Sequence, residues 1–337
     1  MILVSAVILA YKEEPFLEVA VEALLASTGV DVEVLVVDNG CTSDGVARCA
    51  RLPGVTVVGP FSNIGFAAGC NAGARAAGGE VVALINGDAV VAPTALAHLA
   101  EVALRSGVGI ASASIRLADT PELLNSRGND VHFLGFSWSG GFGELAADHA
   151  VHQDVTAASG AGLAIRRELW ESLGGFEERY FIYAEDLEIS LRCWQRGLRV
   201  VYVPDAVIYH HYEFSRNPQK YYLLERNRGI VVLSLLEART LAVLGPAVVA
   251  TELGIALLAR RSGWWPQKAE AWAWLWRNQG WLRERRRRLQ GERTVGDREL
   301  ALRFVSRLDP QNFELPAAVR PLNSVLAAYW SVARRLL

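Results

Sequence analysis

The chain has 337 residues, of which 51% are hydrophobic and 21% are charged, so it is neither a short peptide module nor a disordered or collagen-like polymer. Its net charge of -2 is an average: residues 1–229 carry 17 Lys and Arg against 27 Asp and Glu, whereas residues 230–337 carry 17 against 9. Seven of the ten tryptophans also lie in the second part. We therefore predict an acidic catalytic domain, residues 1–229, and a basic region, residues 230–337, that meets an anionic partner.

Short apolar runs alternate with amphipathic stretches through the first hundred residues. Runs rich in β-branched residues predict buried strands at residues 3–9, 32–37, 55–58 and 81–85. Helical spacing of apolar residues predicts helices at residues 16–26, 44–51, 66–77 and 94–105. This order predicts an α/β fold in which a mostly parallel sheet carries helices on both faces. In such sheets ligands bind beyond the carboxyl ends of the strands.

Residues 110–160 have a loose, glycine-rich pattern, and we predict an insert or loop over the sheet edge there. Beyond them, helices are predicted at residues 166–173 and 186–196, each followed by glycine. A strand is predicted at residues 199–203, and it leads through Pro204 and Asp205 to residues 207–211.

Two general features bear on the cellular setting. The four cysteines form no CxxC pair and are too dispersed for a disulfide framework, so a reducing, cytosolic setting is predicted. The apolar run at residues 1–10 has no basic flank or small-residue cleavage site. We expect it to be a buried strand rather than an export signal.

Polar residues follow three of the predicted strands. Asp38 can accept hydrogen bonds from a ribose or a base, or can simply close the turn that follows. The run of small residues from Asn63 to Gly73, NIGFAAGCNAG, opens a helix whose N–H groups could approach a nucleotide, or could serve only helix packing. Asp88, beside Asn86, suits a divalent cation completed by substrate phosphates. Together these signals predict a nucleotide-diphosphate and metal site.

Six motifs in a fixed order resemble the family 2 glycosyltransferases of the GT-A nucleotide-diphospho-sugar transferase fold, and most of all their rhamnosyltransferase-like branch. The resemblance covers roughly residues 1–230. The six motifs are AYKEE, VVDNGCTSDG, NIGFAAGCNAG, INGDA, GAGLAIRRELWESLGGFEERYFIYAEDLEISLR and VPDAVIYHHYEFS, and the segment YYLLERNR follows them. The resemblance implies an inverting transfer of a sugar from a nucleoside diphosphate to an acceptor hydroxyl, with Mg²⁺ or Mn²⁺ as cofactor.

The resemblance also implies a set of donor-binding and metal-binding residues. Those of the donor site are Ala10, Tyr11, Glu13, Asp38, Asn63, Gly65, Asn86 and Asp88. Asp88 matches the last acid of the metal-binding DxD motif, and Asn86 replaces the first, which leaves one charged ligand fewer. His210 resembles the metal-binding histidine after the last strand, with His211 as the alternative ligand and a structural hydrogen-bonding role as the other possibility.

The acidic pair Glu185 and Asp186 matches the catalytic motif of the family. Asp186 would be the general base, since a positioned carboxylate that takes the proton of an acceptor hydroxyl accelerates its attack. Asp186 could also cap the following helix, and Glu185 would orient or tune it. Arg226 and Arg228 could contact the donor diphosphate. Alternatively, they pair with Glu225 or lie at a membrane face.

The basic region contains an apolar stretch, residues 240–259, that as a helix of about 30 Å could reach across a bilayer. Arginines flank both ends of this stretch, so a single crossing conflicts with the positive-inside tendency. We predict a re-entrant or interfacial helix pair, peripheral or monotopic, on the cytoplasmic side of the cell membrane, with tryptophans at the headgroups and the arginines of residues 285–288 on an anionic surface. A soluble helical subdomain is the alternative, and nucleic-acid binding is not indicated.

The combined prediction is a membrane-associated glycosyltransferase of cell-envelope glycan synthesis. Its donor would be a dTDP- or UDP-sugar, with rhamnose the predicted sugar, and its acceptor a lipid-linked or polysaccharide hydroxyl. Two alternatives remain: a nucleotidyltransferase of similar fold, and a non-catalytic nucleotide-sugar-binding membrane scaffold. AYKEE lacks the basic, glycine-rich signature of the first, and the intact Asp88 and Asp186 argue against the second.

Overall fold

The computed structural model describes residues 1–211, 218–312 and 319–337. The described residues of 1–129, 139–193 and 198–213 form one compact unit, the first unit. Those of 130–138, 194–197 and 214–337 form the second unit. Residue 229, the predicted domain boundary, lies inside a helix, Pro218–Leu235, and the boundary stays a prediction.

The strands within these ranges are numbered in chain order. They are β1 (Leu3–Lys12), β2 (Asp31–Cys41), β3 (Val55–Val58), β4 (Val81–Ile85), β5 (Ala89–Val91), β6 (Val108–Leu117), β7 (Thr120–Ser126), β8 (Asn129–Val131), β9 (Ser137–Ser139), β10 (Gln153–Asp154), β11 (Gly162–Arg166) and β12 (Arg199–His210).

The helices are numbered in the same way. They are α1 (Leu17–Leu25), α2 (Gly45–Cys49), α3 (Phe66–Ala76), α4 (Ala95–Ala103), α5 (Arg167–Leu173), α6 (Glu185–Gln195), α7 (Pro218–Leu235), α8 (Ala238–Arg261), α9 (Trp265–Arg277), α10 (Gln279–Glu292), α11 (Asp297–Leu300) and α12 (Val319–Ala333). The strands and helices predicted in the first hundred residues are all present, with ends that differ by a few residues.

One mixed sheet organises the first unit, in the order β10-β12-β6-β11-β4-β1-β2-β3, with β5 beside β12 and β7 beside β6. β1 is parallel to β2 and β4, and β6 is parallel to β12. β11 lies antiparallel between β4 and β6, so β6 and β12 run in the same direction as β4. The carboxyl ends of β1, β2, β4 and β12 therefore share one edge with the beginning of β11, and the site forms at this edge.

The prediction of a loop over residues 110–160 was wrong at its start, because β6 is an interior strand of the sheet. Ser112 and Ser114 interrupt its apolar run, yet both are fully buried. The Ser112 hydroxyl accepts the Ser159 N–H at 3.3 Å, and the Tyr202 hydroxyl donates to Ser114 at 3.0 Å. These internal hydrogen bonds let a buried strand carry a polar pattern. β11, which was not predicted, makes the sheet more mixed than the element order alone indicates.

The strand predicted at residues 199–203 continues to His210 as β12, and its register with β6 shifts between Val203 and Val207. Pro204 lies in this irregular segment, where it need not donate to the sheet.

Helix α3 packs closely on the sheet because it presents glycine where other helices present larger residues. A Cβ on Gly69 would lie 2.5 Å from Leu9 Cδ2, and one on Gly73 would lie 2.3 Å from Val7 Cγ1. Neither position has space for a side chain. The packing role that the sequence left open is thus the role that these two glycines have.

A buried group of charges joins three helices of the second unit. It consists of Glu225 and Arg228 from α7, Glu252 from α8 and Lys268 from α9, and we call it the Glu252 cluster. Lys268, only 1% exposed, lies 2.7 Å from Glu252 and also pairs with Glu225. Burial favours the neutral form of Glu252, but the charges of Arg228 and Lys268 outweigh it and hold its pKa at about 2. Trp272 Nε1 also donates to Glu252.

Candidate active site

Asp88 and His210 meet at the edge of the sheet although 122 residues separate them. Asp88 follows β4 and His210 ends β12, and these two strands run in the same direction. The His210 Nε2 atom lies 3.1 Å from Asp88 Oδ1 and 3.5 Å from the side-chain amide of Asn86. The three residues that the sequence connected with a metal are therefore neighbours.

His211, the alternative ligand, is engaged elsewhere. Its ring stacks on Phe16 with centroids 3.6 Å apart and an interplanar angle of 8°. Its backbone N–H donates to the carbonyl of Asp88 at 3.0 Å. Of the two histidines, His210 is thus the one whose ring contacts the Asp88 carboxylate.

The donor atoms at Asp88 and His210 fit a divalent cation that the substrate completes. Within residues 1–211, 218–312 and 319–337, no group of three or more His, Cys, Asp or Glu side chains could hold a metal. A carboxylate oxygen and an imidazole nitrogen 3.1 Å apart match neighbouring corners of an octahedron, which are about 3 Å apart at the usual Mg²⁺–oxygen distance. Mg²⁺ commonly takes one or two protein carboxylates and fills its shell with water and phosphate oxygens.

Asp186 is the second residue of α6 rather than its cap. Its Oδ2 accepts hydrogen bonds from the Gly160 N–H at 2.9 Å and the Asn129 side chain at 3.1 Å, and its Oδ1 accepts from the Leu187 N–H at 2.7 Å. Burial raises the pKa of Asp186, while these hydrogen bonds oppose the rise. A carboxylate that is fixed by hydrogen bonds and has a raised pKa is suited to accept a proton.

Asp186 and the Asp88–His210 pair are joined through two consecutive residues. The Gly160 N–H donates to Asp186 at 2.9 Å, and the Ala161 carbonyl accepts the Asn86 N–H at 3.2 Å. Because β11 begins immediately afterwards, antiparallel to β4, this dipeptide lies at the carboxyl end of β4. The predicted base and the predicted metal ligands thus share one edge of the sheet.

Glu185 is buried beside Asp186, and its Oε2 has no hydrogen-bond partner in the part of the chain that the structure describes. Burial, and then the charge of Asp186, raise the pKa of Glu185 well above its ordinary value. The folded protein therefore favours the protonated, neutral form of this side chain.

Glu185→Gln should stabilise the protein more at about pH 8 than at about pH 5. The folded state holds this proton more tightly than the unfolded chain does, so the wild type loses stability as the pH rises from 4.5, the ordinary pKa, towards the raised pKa. Gln does not titrate. Thermal unfolding at several pH values in this range measures the difference as a shift in Tm, about 2–4 °C for each kcal/mol of unfolding free energy. The exposed Glu168→Gln is the control, and a gain for Glu185→Gln that does not vary with pH would contradict the prediction.

The segment before the acidic pair is strained. Phe181, Tyr183 and Ala184 all have positive φ angles, between 65° and 73°, a conformation that costs non-glycine residues of the order of 1 kcal/mol each. The Phe181 carbonyl accepts the Ala67 N–H at 3.1 Å, and a Cβ on Gly65 would lie 2.5 Å from the Phe181 ring. The protein itself thus uses one N–H group that the sequence offered to a nucleotide.

At the predicted nucleotide end of the site, side-chain oxygens accept hydrogen bonds from the backbone of two turns. Asp38 Oδ1 accepts the N–H groups of Gly40 and Cys41 at 3.2 and 3.0 Å, and Asn63 Oδ1 accepts the Gly65 N–H at 3.1 Å. Asn39, which the sequence argument missed, is buried and accepts the Ile64 N–H at 2.9 Å. It thereby holds the turn of Asn63 and Gly65 against the end of β2.

At the end of β1, Ala10 is buried and pairs with Asp38 in the sheet register. Tyr11 and Glu13 are exposed, as residues that contact a ligand must be. Glu14, the second acid of AYKEE, was not singled out, yet it lies half-buried and accepts the Tyr11 N–H at 3.3 Å. Burial, helped by the charge of Asp88, raises its pKa to about 7.

Arg226 and Arg228 belong to the second unit. Arg228 pairs with Glu225 at 2.9 Å, which is the alternative that the sequence left open for it, and also with Glu252. The Arg226 guanidinium lies over the rings of Tyr222 and Trp274, 5.2 and 5.1 Å from their centroids. The diphosphate contact of both arginines stays a prediction.

Comparison with known proteins identifies the family. The family model described as "Glycosyltransferase like family 2" matches residues 3–231. The chain belongs to this glycosyltransferase family. It is an enzyme of that class, and neither the nucleotidyltransferase nor the scaffold alternative gains support.

Curated relatives of the enzyme include a rhamnosyltransferase and an O-antigen biosynthesis protein. It is 30% identical over 229 residues to the N-acetylglucosaminyl-diphospho-decaprenol L-rhamnosyltransferase of Mycobacterium tuberculosis, a match that covers 60% of this chain and 73% of the relative. It is 31% identical over 228 residues to the O-antigen biosynthesis protein RfbC of Myxococcus xanthus, covering 63% of this chain. Two relatives are much longer than this chain. The match spans 25% of the length of an uncharacterized Sinorhizobium fredii protein and 17% of the length of RfbC.

Solved structures confirm the predicted GT-A fold. GalNAc-T7 with UDP, GalNAc and Mn²⁺ has a TM-score of 0.58 at 19% identity, over 70% of this chain and 49% of that one. The mannosyltransferase PcManGT of Pyrobaculum calidifontis, with GDP-Man and Mn²⁺, has a TM-score of 0.51 at 18% identity, over 99% and 86%. TarS of S. aureus with UDP-GlcNAc has a TM-score of 0.53 at 14% identity, over 99% and 90%.

Proposed function

We propose that the enzyme transfers a sugar, rhamnose in our interpretation, from a dTDP- or UDP-linked donor to a lipid-linked or polysaccharide hydroxyl in cell-envelope glycan synthesis. The observation that carries the proposal is that Asp186 and the Asp88–His210 pair lie at one edge of the sheet, linked by hydrogen bonds to the backbone of Gly160 and Ala161. A base for an acceptor and ligands for a diphosphate-bound cation are the two parts that such a transfer needs.

The chemistry is a single displacement with inversion at the anomeric carbon, C1. Asp186 takes the proton of the acceptor hydroxyl while its oxygen forms a bond to C1, and the bond between C1 and the diphosphate oxygen breaks with its electrons on that oxygen. A bound Mg²⁺ or Mn²⁺, which Asp88 and His210 would hold, supplies positive charge for the departing diphosphate. Burial keeps the pKa of Asp186 raised, and this favours proton transfer to it.

The choice of sugar and acceptor rests on the relatives. The Mycobacterium tuberculosis relative is named as a rhamnosyltransferase that acts on a diphospho-decaprenol lipid, and the Myxococcus xanthus relative as an O-antigen biosynthesis protein. The first name specifies a lipid-linked acceptor, and an acceptor of this kind would require the enzyme to work at a membrane.

We further propose that the second unit rests on the cytoplasmic side of the cell membrane through α8, as a monotopic contact with anionic lipid. α8 is long and apolar enough to cross a membrane. Glu252 ties α8 to the Glu252 cluster, however, while Val249, Leu253 and Leu257 form an exposed stripe along the helix. Of the tryptophans between 264 and 281, Trp276 is exposed, and the other five contact aromatic or cationic neighbours. In the arginine run, Arg285 is buried, so it cannot serve lipid binding as predicted.

Release of nucleoside diphosphate tests the proposed transfer. Wild-type enzyme would be incubated with dTDP-, UDP- and GDP-sugars and a bacterial lipid extract, with Mn²⁺ or with EDTA. We expect release from a dTDP- or UDP-sugar that requires both the extract and the metal. Release from none of the donors would contradict the proposed transfer, and undiminished release in EDTA would contradict the metal.

A further inference from the structure

Asn125 is a buried polar residue that no sequence motif indicated and that the proposed mechanism does not use. It lies in β7, within the stretch predicted to be a loop, and is 3% exposed. Its Oδ1 lies 3.0 Å from Nδ1 of His210, while the other ring nitrogen, Nε2, lies 3.1 Å from Asp88 Oδ1. The imidazole is therefore held between an amide and a carboxylate.

The amide oxygen selects one tautomer of the histidine ring. It can accept a hydrogen bond only from a protonated Nδ1, and a neutral ring with its proton there has its lone pair on Nε2. That lone pair faces the same space as the Asp88 carboxylate oxygen. Two electron-rich atoms 3.1 Å apart are suited to share one cation. The reverse orientation of the amide would place the proton on Nε2 and occupy the metal-binding atom.

Burying an asparagine at this position costs free energy unless its side-chain oxygen makes a useful hydrogen bond. Asn125 Nδ2 has no hydrogen-bond partner within the described ranges, and a buried, unpaired amide N–H costs about 1–3 kcal/mol. An apolar side chain of similar size would avoid this cost and fill the same space. The contact between its Oδ1 and Nδ1 of His210 accounts for an amide at this position.

We propose that Asn125 is a positioning residue that holds His210 in the tautomer able to bind the divalent cation. This rests on the proposed metal pair, Asp88 and His210. The amide does not touch the cation itself. It acts through the ring, as outer partners of metal-bound histidines generally do.

Binding of Mn²⁺ in the presence of saturating UDP and, in a parallel series, saturating dTDP tests the proposal, with free Mn²⁺ measured by electron paramagnetic resonance. Asn125→Leu removes the acceptor at similar volume, and we expect Mn²⁺ to bind about 10- to 100-fold more weakly. Asn125→Asp presents only oxygens to Nδ1, so its Mn²⁺ affinity should equal or exceed that of the wild type. Asn129→Leu is the matched control, because Asn129 begins β8, four residues after Asn125, but donates to Asp186 rather than contacting His210. Its Mn²⁺ affinity should be unchanged.

The outcomes separate this proposal from the metal site on which it rests. If wild-type enzyme binds no Mn²⁺ with either UDP or dTDP, the metal site itself is wrong. If the wild type binds Mn²⁺ and Asn125→Leu binds it equally well, the role of Asn125 is wrong. Should Asn125→Leu fail to fold, the ¹⁵N chemical shifts of the His210 ring in the wild type decide. A protonated Nδ1 supports the proposal, and a neutral ring protonated at Nε2 overturns it.

Discussion

Asp186→Asn should lower kcat by about 10²- to 10⁴-fold, the usual contribution of a general base. The amide keeps the shape of the side chain but cannot take the acceptor proton. Its oxygen can still accept the Gly160 and Asn129 N–H groups, so the structural cost is about one hydrogen bond, roughly 1 kcal/mol. Binding of Mn²⁺ with UDP should be unchanged, since Asp88 and His210 are intact.

Steady-state kinetics with the preferred donor, together with circular dichroism of the variant, check this expectation. Asp119→Asn makes the same chemical change at an exposed aspartate of the first unit and should keep wild-type kcat. A folded Asp186→Asn enzyme that turned over within a few-fold of the wild type would show that another group takes the proton. Glu185, whose pKa is also raised, would then be the first residue to examine.

Replacing Val249, Leu253 and Leu257 together with Gln should weaken binding to anionic vesicles about a hundredfold. These side chains are 59%, 64% and 53% exposed. They lie four residues apart, so they form one stripe along α8. Burying a Val or Leu side chain fully in an apolar phase is worth about 1.5–3 kcal/mol. Three such residues, even half-inserted, contribute about 3 kcal/mol, which corresponds to about a hundredfold in partitioning.

Sedimentation with vesicles of phosphatidylcholine, with and without phosphatidylglycerol, measures this binding. The basic charge of the second unit should make wild-type binding stronger on the anionic vesicles and weaker at high salt. Val151→Gln, a change at an exposed valine of the first unit, is the control and should bind like the wild type. Equal sedimentation of the triple variant and the wild type would contradict the contribution of α8.

The part of the fold that sequence predicted well is the part where burial and hydrophobicity agree. β3 and β4 are continuous runs of Val, Leu, Ile, Ala and Thr, and their predicted ends coincide with the observed ones. β6 was missed because Ser112 and Ser114 carry internal hydrogen bonds that no periodic pattern reveals. The hydrophobicity of a segment does not reveal that a buried polar group in it is hydrogen-bonded to a residue far along the chain.

The same reason limited what sequence could say about the site. Asp88, His210 and Asp186 stood in motifs and were found. Asn125 and Asn129 were not, since each acts on a partner far along the chain. Asn125 contacts His210 because β7 and β12 both pair with β6, and Asn129, at the start of β8, contacts Asp186 at the start of α6. Glu14 was passed over in favour of Glu13 because adjacent acids at a strand end cannot be ranked without knowing which side chain turns inward.

The Glu252 cluster determines how a water-soluble form of this enzyme could be prepared. Deleting α8 would remove Glu252 and leave Arg228 and the buried Lys268 with Glu225 as their remaining carboxylate in the cluster. Stripping a partner from a buried ion pair costs about 3–5 kcal/mol, so a truncated chain would risk losing the second unit as a whole. Polar substitutions confined to the outward stripe of α8 leave every member of the cluster in place. Solubilisation by surface redesign is therefore the safer route, and shortening the chain the poorer one.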